Sequence, residues 1–524
     1  MLILKFLQGE QAVIDEPSSK EISEYFGVVN LEILIALTLL VFLGRSIFTY
    51  LTSYYSLSYK AELSMDVRNR LVSQYVNLGY NNIKLKGQEY YINLIGEQVS
   101  RYSSGLVALI EFITFSTSFL FMIAAAFVVS GKLVSISIIA LVLIFLAYRR
   151  INRLVAAASR NLTIENQNVV QAINDLVKPA KLLTVMRSFD FVSKSASLSV
   201  RKYFELEKVI AKGAALARAT REPAILLIIL FLICFDYYIM GGNFDNLIVT
   251  FLLFYRALGH AMSLQSVYQK KMSNLGAIEL IAHELANKQR MFKPSEIGQK
   301  TDKEIMSIKL VDYDIHSNNY SIISNVNVEI FFGKTYLIKG PSGIGKSSFV
   351  DALIGVCPQH NGAFLINSLE TNVPLYKLTN VAYIDQTPYI FNCSIIENVT
   401  MKLKSELGYS EIEKATGILH DLGLGVLLSS LPNGADTLVG TNGRSLSGGE
   451  SQRITVARAL YANAHCLVFD EATAALDENN TKGLIELINN LKEGRTIFII
   501  AHNEYFDDVA DHKIMISKTS VDVI

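Results

Sequence analysis

The chain carries GPSGIGKSS at 340–348 and, further on, SLSGGESQR at 445–453 running into LVFDE at 467–471. The first stretch holds a Gly-x-x-x-x-Gly-Lys-Ser pattern between a strand-like run, Thr335-Tyr336-Leu337-Ile338, and a helix-like one from Ser347 to Ile354. A phosphate-binding loop needs that context. Gly340, Gly343 and Gly345 permit turns in which consecutive amide N–H groups point inward, and the helix start adds partial positive charge. Lys346 is then expected to reach the β- and γ-phosphates of a nucleotide, and the Ser347 hydroxyl to ligate Mg2+. Ser342, Ile344 and Ser348 complete the expected binding loop.

A second anion site follows from Ser447, Gly448 and Gly449, which precede a helical run from Glu450 to Ala462 and so stand at a helix N-terminus. One domain rarely needs two separate sites for one triphosphate. The second site, Ser447, Gly448, Gly449 and Glu450, is therefore expected to bind a nucleotide held by a neighbouring subunit.

At this point the sequence resembles the ABC ATPases, because LSGGE is similar to their signature motif, in which Gln is commoner at the place of Glu450. Cys466-Leu467-Val468-Phe469 reads as a buried parallel strand with Asp470 and Glu471 at its C-terminal end, where open α/β sheets place their ligands. The resemblance implies that Asp470 holds Mg2+ through water and that Glu471 polarises the attacking water as general base. It likewise implies that Gln386, after Val381-Ala382-Tyr383-Ile384, touches the Mg2+ and senses the membrane part. His502, after Thr496 to Ala501, is implied to contact the γ-phosphate, and Ala474-Ala475-Leu476-Asp477 resembles a dimer-contacting loop. The implied cofactors are ATP and Mg2+.

Two departures from the family pattern stand out. Ile315 falls where an aromatic residue normally stacks on adenine, with His316 beside it and Tyr313 or Tyr320 as substitutes. The spacer Thr437 to Gly443 lacks the glutamate and arginine seen there in many exporters.

What positions these residues is set by the rest of the chain. Hydrophobic residues make up 51% and charged residues 18%, with zero net charge, a balance far from a basic nucleic-acid binder and close to a membrane protein. Apolar stretches occur at Ile33–Leu51, Phe112–Val129, Leu133–Tyr148, Ala224–Met240 and Leu247–Leu264. Several approach the ~20 residues a spanning helix requires. Ser130-Gly131-Lys132 makes a tight turn between the second and third. The segment 149–222 is rich in Arg and Lys whereas Gly241–Asn246 has none, so 149–222 is expected to be cytoplasmic. An ATPase entered directly from the last apolar stretch must also lie where ATP is.

The long polar connections, roughly 54–105 and 149–222, resemble the intracellular helical extensions of exporter-type ABC half-transporters, whose tips dock on the ATPase. The expected fold is thus an all-α transmembrane domain (1–292), a linker (293–303) and an α/β RecA-like nucleotide-binding domain with a helical subdomain (304–524). Five of the usual six spans are visible. Met1 to Leu7 with the acidic stretch after it reads as the end of a first span; a fragment, a mis-assigned start and a true five-span protein are the alternatives. Cys234, Cys357, Cys393 and Cys466 show no metal-ligand spacing and read as reduced and structural.

The expected function is ATP-driven export or flipping of an amphipathic or lipid-linked substrate by two copies of the chain, a heterodimer being open, in a bacterial inner (plasma) membrane with the ATPase cytoplasmic. Nucleic acid is not an expected partner. Arg45, Arg256 and His260 inside apolar stretches point to a cavity for an anionic headgroup, or else pair with other helices or snorkel to the interface. Peptide or drug export, and an ATP-gated regulatory protein that moves nothing, are the alternatives.

Overall fold

The computed structural model describes residues 31–76, 83–84, 86–129, 131–235, 237–238, 244–286, 305–317, 320–356, 361–371, 373–440, 443–471, 478–501, 504–517 and 520–524. Two units divide the chain: Met1–Val76 with Lys86–Met291, and Asn77–Leu85 with Phe292–Ile524.

The first unit is helical: α1 (Leu31–Val76), α2 (Gln88–Asn93), α3 (Val99–Val129), α4 (Gly131–Val177), α5 (Ala180–Met186), α6 (Phe189–Ala219), α7 (Arg221–Phe235), α8 (Phe244–Ser273) and α9 (Leu275–Ala286). Apolar residues dominate α3 and the first half of α4, and the 47 residues of α4 reach well beyond a hydrocarbon core of ~30 Å at about 1.5 Å per residue. Gln88–Phe127 and Lys132–Val177 are long and apolar enough to cross a membrane, each containing an 18-residue stretch, of mean hydropathy 2.1 and 2.0 respectively. The other three expected spans fall on α1, α7 and α8, and Ala224–Met240 runs on from α7 through residues outside the described set. Met1 to Leu7 lies outside it entirely.

An apolar core joins Ala126, Leu133, Val134, Ile225, Ile229, Phe254 and Leu258. A second apolar core joins Val67, Leu71, Leu94, Val99 and Ile281, and polar contacts lie beside it. A π-helical turn, Leu94–Gln98, links α2 to α3, and such turns re-aim side chains within a helix. Asn166 of α4 donates to Asn93 and to Glu97, at 2.8 and 2.6 Å. Arg101 donates to Ser159, Thr163 and the Ser273 carbonyl.

The second unit is α/β. A six-stranded sheet runs in the order β10 (Val521–Val523), β9 (His512–Ile516), β3 (Thr335–Lys339), β8 (Thr496–Ile500), β7 (Cys466–Asp470), β6 (Val381–Ile384), all parallel except β10. A second, antiparallel sheet runs β2 (Tyr320–Phe331), β1 (Ser307–Ser317), β4 (Ala363–Ile366), β5 (Leu369–Glu370). The helices are α10 (Lys346–Ile354), α11 (Leu375–Leu378), α12 (Ile395–Thr400), α13 (Tyr409–Asp421), α14 (Gly425–Ser430), α15 (Gly448–Tyr461) and α16 (Glu478–Leu491).

The apolar runs of β7 and β8 are explained by burial on both faces. Leu467, Phe469, Ile497 and Ile499 enter a core with α12, α13, α15 and α16, whereas Val468, Phe498 and Ile500 enter another with α10 and the antiparallel sheet. Because β3, β8, β7 and β6 are parallel, their C-terminal ends share one edge. That edge receives the phosphate loop, Asp470 with Glu471, and Gln386.

Candidate functional site

The phosphate loop closes onto α10 through Gly345, which has φ of 106° as the residue preceding the helix. A Cβ there would also lie 2.5 Å from the Ile322 side chain, so both backbone and space call for glycine. Lys346 is buried, and its ammonium donates to the carbonyls of Gly340 and Pro341 at 3.1 and 3.2 Å. Burial pushes its pKa down while Glu471 and Asp470 pull it up. Ser342 and Gly343 are exposed along the loop, and Ile344 and Ser348 are half-buried.

Five side chains converge at the strand ends. The Ser347 hydroxyl donates to Asp470 Oδ1 at 3.2 Å, and the Tyr383 hydroxyl donates to Asp470 Oδ2 at 2.5 Å. Gln386 Nε2 donates to Glu471 Oε2 at 3.1 Å. Glu471 itself has φ of 45°, a costly conformation for a side-chain-bearing residue, and its N–H is fixed to the Ile500 carbonyl at 3.0 Å. Strain of this kind gathers where a side chain must be aimed rather than merely accommodated.

The oxygens of Ser347 and Asp470 suit a hard divalent cation. Among the described residues no group of three His, Cys, Asp or Glu side chains could hold a metal by itself. Two protein oxygens with the rest supplied by phosphates and water is the arrangement Mg2+ ordinarily takes.

Ser447, Gly448 and Gly449 start α15, which packs against α12, α13 and β6. Ser447 Oγ accepts from the Glu450 N–H at 3.3 Å, and Glu450 Oε2 accepts from the Ser447 N–H at 2.7 Å. Glu450 thereby closes a capping box that holds the helix end. Its carboxylate is turned back along its own helix. His502 and Ala474 to Asp477 lie outside the described residues.

The structure corrects one expectation about adenine. Tyr313 and Ile315 are only 3% and 1% exposed, both within the core beneath the antiparallel sheet, so neither presents a face for stacking. The Tyr320 side chain lies outside the described set. Cys466 is buried, and burial pushes its thiol up to about 12, which leaves it inert; Cys234 and Cys393 are also free, and Cys357 is not described.

Residues 323–474 match the family described as ABC transporter. The fold is similar to that of a bacterial Atm1-family ABC exporter with ATP bound, with a TM-score of 0.78, 18% identity and coverage of 95% of this chain and 89% of that one. The chain therefore holds an ABC transporter domain within the fold of an ABC exporter. Among similar sequences, the ATP-dependent lipid A-core flippase of Vibrio cholerae serotype O1 (strain ATCC 39315 / El Tor Inaba N16961) is 25% identical over 492 residues, 90% of this chain and 81% of that protein. The ATP-binding cassette sub-family B member 10, mitochondrial, of Mus musculus is 31% identical over 48% of this chain and 36% of its own length. The ATP-dependent lipid A-core flippase of Blochmanniella floridana is 34% identical over 42% of this chain. The match spans only 40% of that flippase.

The sequence missed Tyr383, Asp351, Asn398 and Arg458 of the second unit. Asp351 carried a signal, since it follows Ser347 by four positions on α10 and so shares its face. In the first unit, Arg256 is exposed, His260 is half-buried with its ring 6.3 Å from that of Phe115, and the Arg45 side chain is not described. Arg221, read from sequence only as a cytoplasmic charge, donates instead to the Gly259 carbonyl and to Ser263, each at 3.2 Å.

Proposed function

We propose that the chain is an ATP-driven exporter or flippase that works as two copies sharing two nucleotides. The observation that carries this is the gathering of Lys346, Ser347, Asp470, Glu471 and Gln386 on one sheet edge, with the Ser447 helix end on a different element. In this reading the loop amides and Lys346 hold the phosphates, together with Gly340, Ser342, Gly343, Ile344, Gly345 and Ser348. Ser347, Asp470 and Gln386 would hold Mg2+, which supplies charge neutralisation at the phosphates when bound.

Glu471 orients and deprotonates the attacking water, and Gln386, hydrogen-bonded to it, holds that carboxylate in place. His502 completes the set at the γ-phosphate. Ser447, Gly448 and Gly449 of one copy close over the nucleotide of the other, and Glu450 keeps that helix end formed.

The proposed setting is a bacterial inner membrane, with the ATPase on the cytoplasmic side. The substrate is an amphipathic, lipid-linked anion. The names of two relatives, lipid A-core flippases, favour a lipid cargo over a peptide or drug. Cations at Arg221 and Arg256 within or beside apolar helices favour an anionic headgroup.

The test is ATP-dependent movement in proteoliposomes, with a fluorescent lipid-linked glycan, a hydrophobic peptide and a cationic drug as separate cargoes. Movement of the glycan alone is expected. Movement of the peptide alone would overturn the substrate class, and ATP hydrolysis with no movement of any cargo would overturn transport.

A further inference from the structure

We propose that Tyr383 is a positioning residue for the cation site: its hydroxyl anchors the Asp470 carboxylate so that Oδ1 keeps facing Ser347. The inference rests on the reading of Asp470 as a cation ligand.

The backbone explains how a tyrosine at this place reaches that carboxylate. In the parallel pair of β6 and β7, Tyr383 is registered with Val468 and Ile384 with Phe469. Side chains two positions apart on a strand share a face, so Asp470 lies on the same face as Val468, one step further toward the C-terminal edge. That step is about 6.6 Å. A side chain registered at 468 must therefore be long, and must lean along the strand, to touch position 470. A phenol does both, and the observed bond is 2.5 Å.

Both contacts to the carboxylate can persist when a cation binds. Asp470 accepts one bond at each oxygen, from Ser347 at Oδ1 and from Tyr383 at Oδ2. A hydroxyl has two lone pairs besides its proton, so Ser347 can ligate a cation through its oxygen and still donate to Oδ1. The Tyr383 bond lies on the other oxygen and competes with neither. Holding Oδ2 from the far side fixes the rotation of the carboxylate, as outer hydrogen bonds do for metal ligands generally.

The experiment titrates Mn2+ into the full chain, saturated with a non-hydrolysable ATP analogue, and reads free and bound Mn2+ by electron paramagnetic resonance. Wild type is compared with Tyr383→Phe and Asp470→Asn. Analogue affinity without metal is measured for each, as a check that the phosphate loop is folded. Tyr383→Phe is expected to weaken Mn2+ binding about tenfold, the lower end for loss of an outer-shell partner, with metal-free analogue affinity unchanged. Unchanged Mn2+ affinity in Tyr383→Phe, alongside a loss in Asp470→Asn, overturns the role of Tyr383 and leaves Asp470 as ligand. Unchanged Mn2+ affinity in Asp470→Asn overturns the ligand reading and the inference with it. Loss of metal-free analogue binding in Tyr383→Phe also counts against it, since the effect would then lie in the phosphate loop.

Discussion

The Arg458 guanidinium holds both ends of Asn398: Nε donates to its main-chain carbonyl at 2.5 Å and Nη2 to its side-chain Oδ1 at 2.6 Å. Arg458 Nη1 also donates to the Tyr389 carbonyl at 2.7 Å, and its plane lies 5.2 Å from the Phe391 ring. Asn398 is buried, and its amide donates to Phe391 and Ser394 carbonyls. The segment after Gln386 is thereby tied to α15, the helix whose N-terminus is Ser447. A rigid helix joins the tie to the signature end.

Arg458→Met should loosen that segment, because the Asn398 carbonyl and Oδ1 lose charged donors at a cost on the order of 3 kcal/mol. Hydrogen–deuterium exchange should quicken over 387–400 and stay unchanged over 335–339. Arg458→Lys should restore little of the protection, since an ammonium cannot reproduce the fork of donors. Equal exchange in wild type and Arg458→Met would show that the tie is dispensable.

Glu471→Gln should keep the hydrogen-bonding shape of the site while removing the base. Phosphate release per molecule should fall by about 10²–10⁴, with nucleotide binding retained and the nucleotide-bound dimer accumulating. Wild-type turnover in this variant would remove Glu471 from the chemistry.

The chemistry of the second unit was legible in the sequence because its residues are contiguous and punctuated. Glycines mark the phosphate loop, Ser447 and Glu450 mark a helix start, and continuous apolar runs mark β7 and β8 as strands buried on both faces. What could not be read depends on register and distance along the chain. Tyr383 reaches Asp470 only because β6 lies beside β7 in one particular register, and Arg458 meets Asn398 from 60 positions away. Tyr313 looked available for adenine from its place in the sequence, but pairing of β1 with β2 and β4 puts it in the core. In the first unit the π-turn at Leu94–Gln98 has no marker residue such as Pro, and the polar knot it serves appears only once α4 and α9 are packed.

Asp351 gives a pH dependence whose sign follows from its surroundings. Burial raises its carboxyl from an ordinary 3.8 to about 6, with Asp470 and Asp385 acting in the same direction and Lys84 against it. A raised folded pKa means a contribution to stability that is complete below about 4 and lost as pH rises through about 6. Above that window the ionised carboxylate is a burden. Asp351→Asn should therefore stabilise the second unit at neutral pH by on the order of 1 kcal/mol once solvent screening is allowed for. The gain should vanish toward pH 4. Thermal denaturation of the full chain across that range checks it, and a gain that grows on acidification would contradict the assignment.

Gly276 sets how closely α9 approaches α4. A Cβ at this position would lie 2.4 Å from the Ser159 carbonyl oxygen and 2.6 Å from Thr163 Oγ1. The first of these is backbone and cannot rotate away. Ser159 is also the hub of the local network, accepting from the Gly276 N–H and from Arg101 and donating to the Ser273 carbonyl. Gly276→Val should push the helices apart and leave Arg101 without two of its acceptors, a loss of about 1–3 kcal/mol from overpacking alone with the unsatisfied donors in addition. The variant should show a lower melting temperature in detergent, read by size-exclusion chromatography after heating. Gly276→Ala should fall between it and wild type, because the clash begins at Cβ. A melting temperature equal to wild type for both variants would mean that the α4–α9 contact yields without cost.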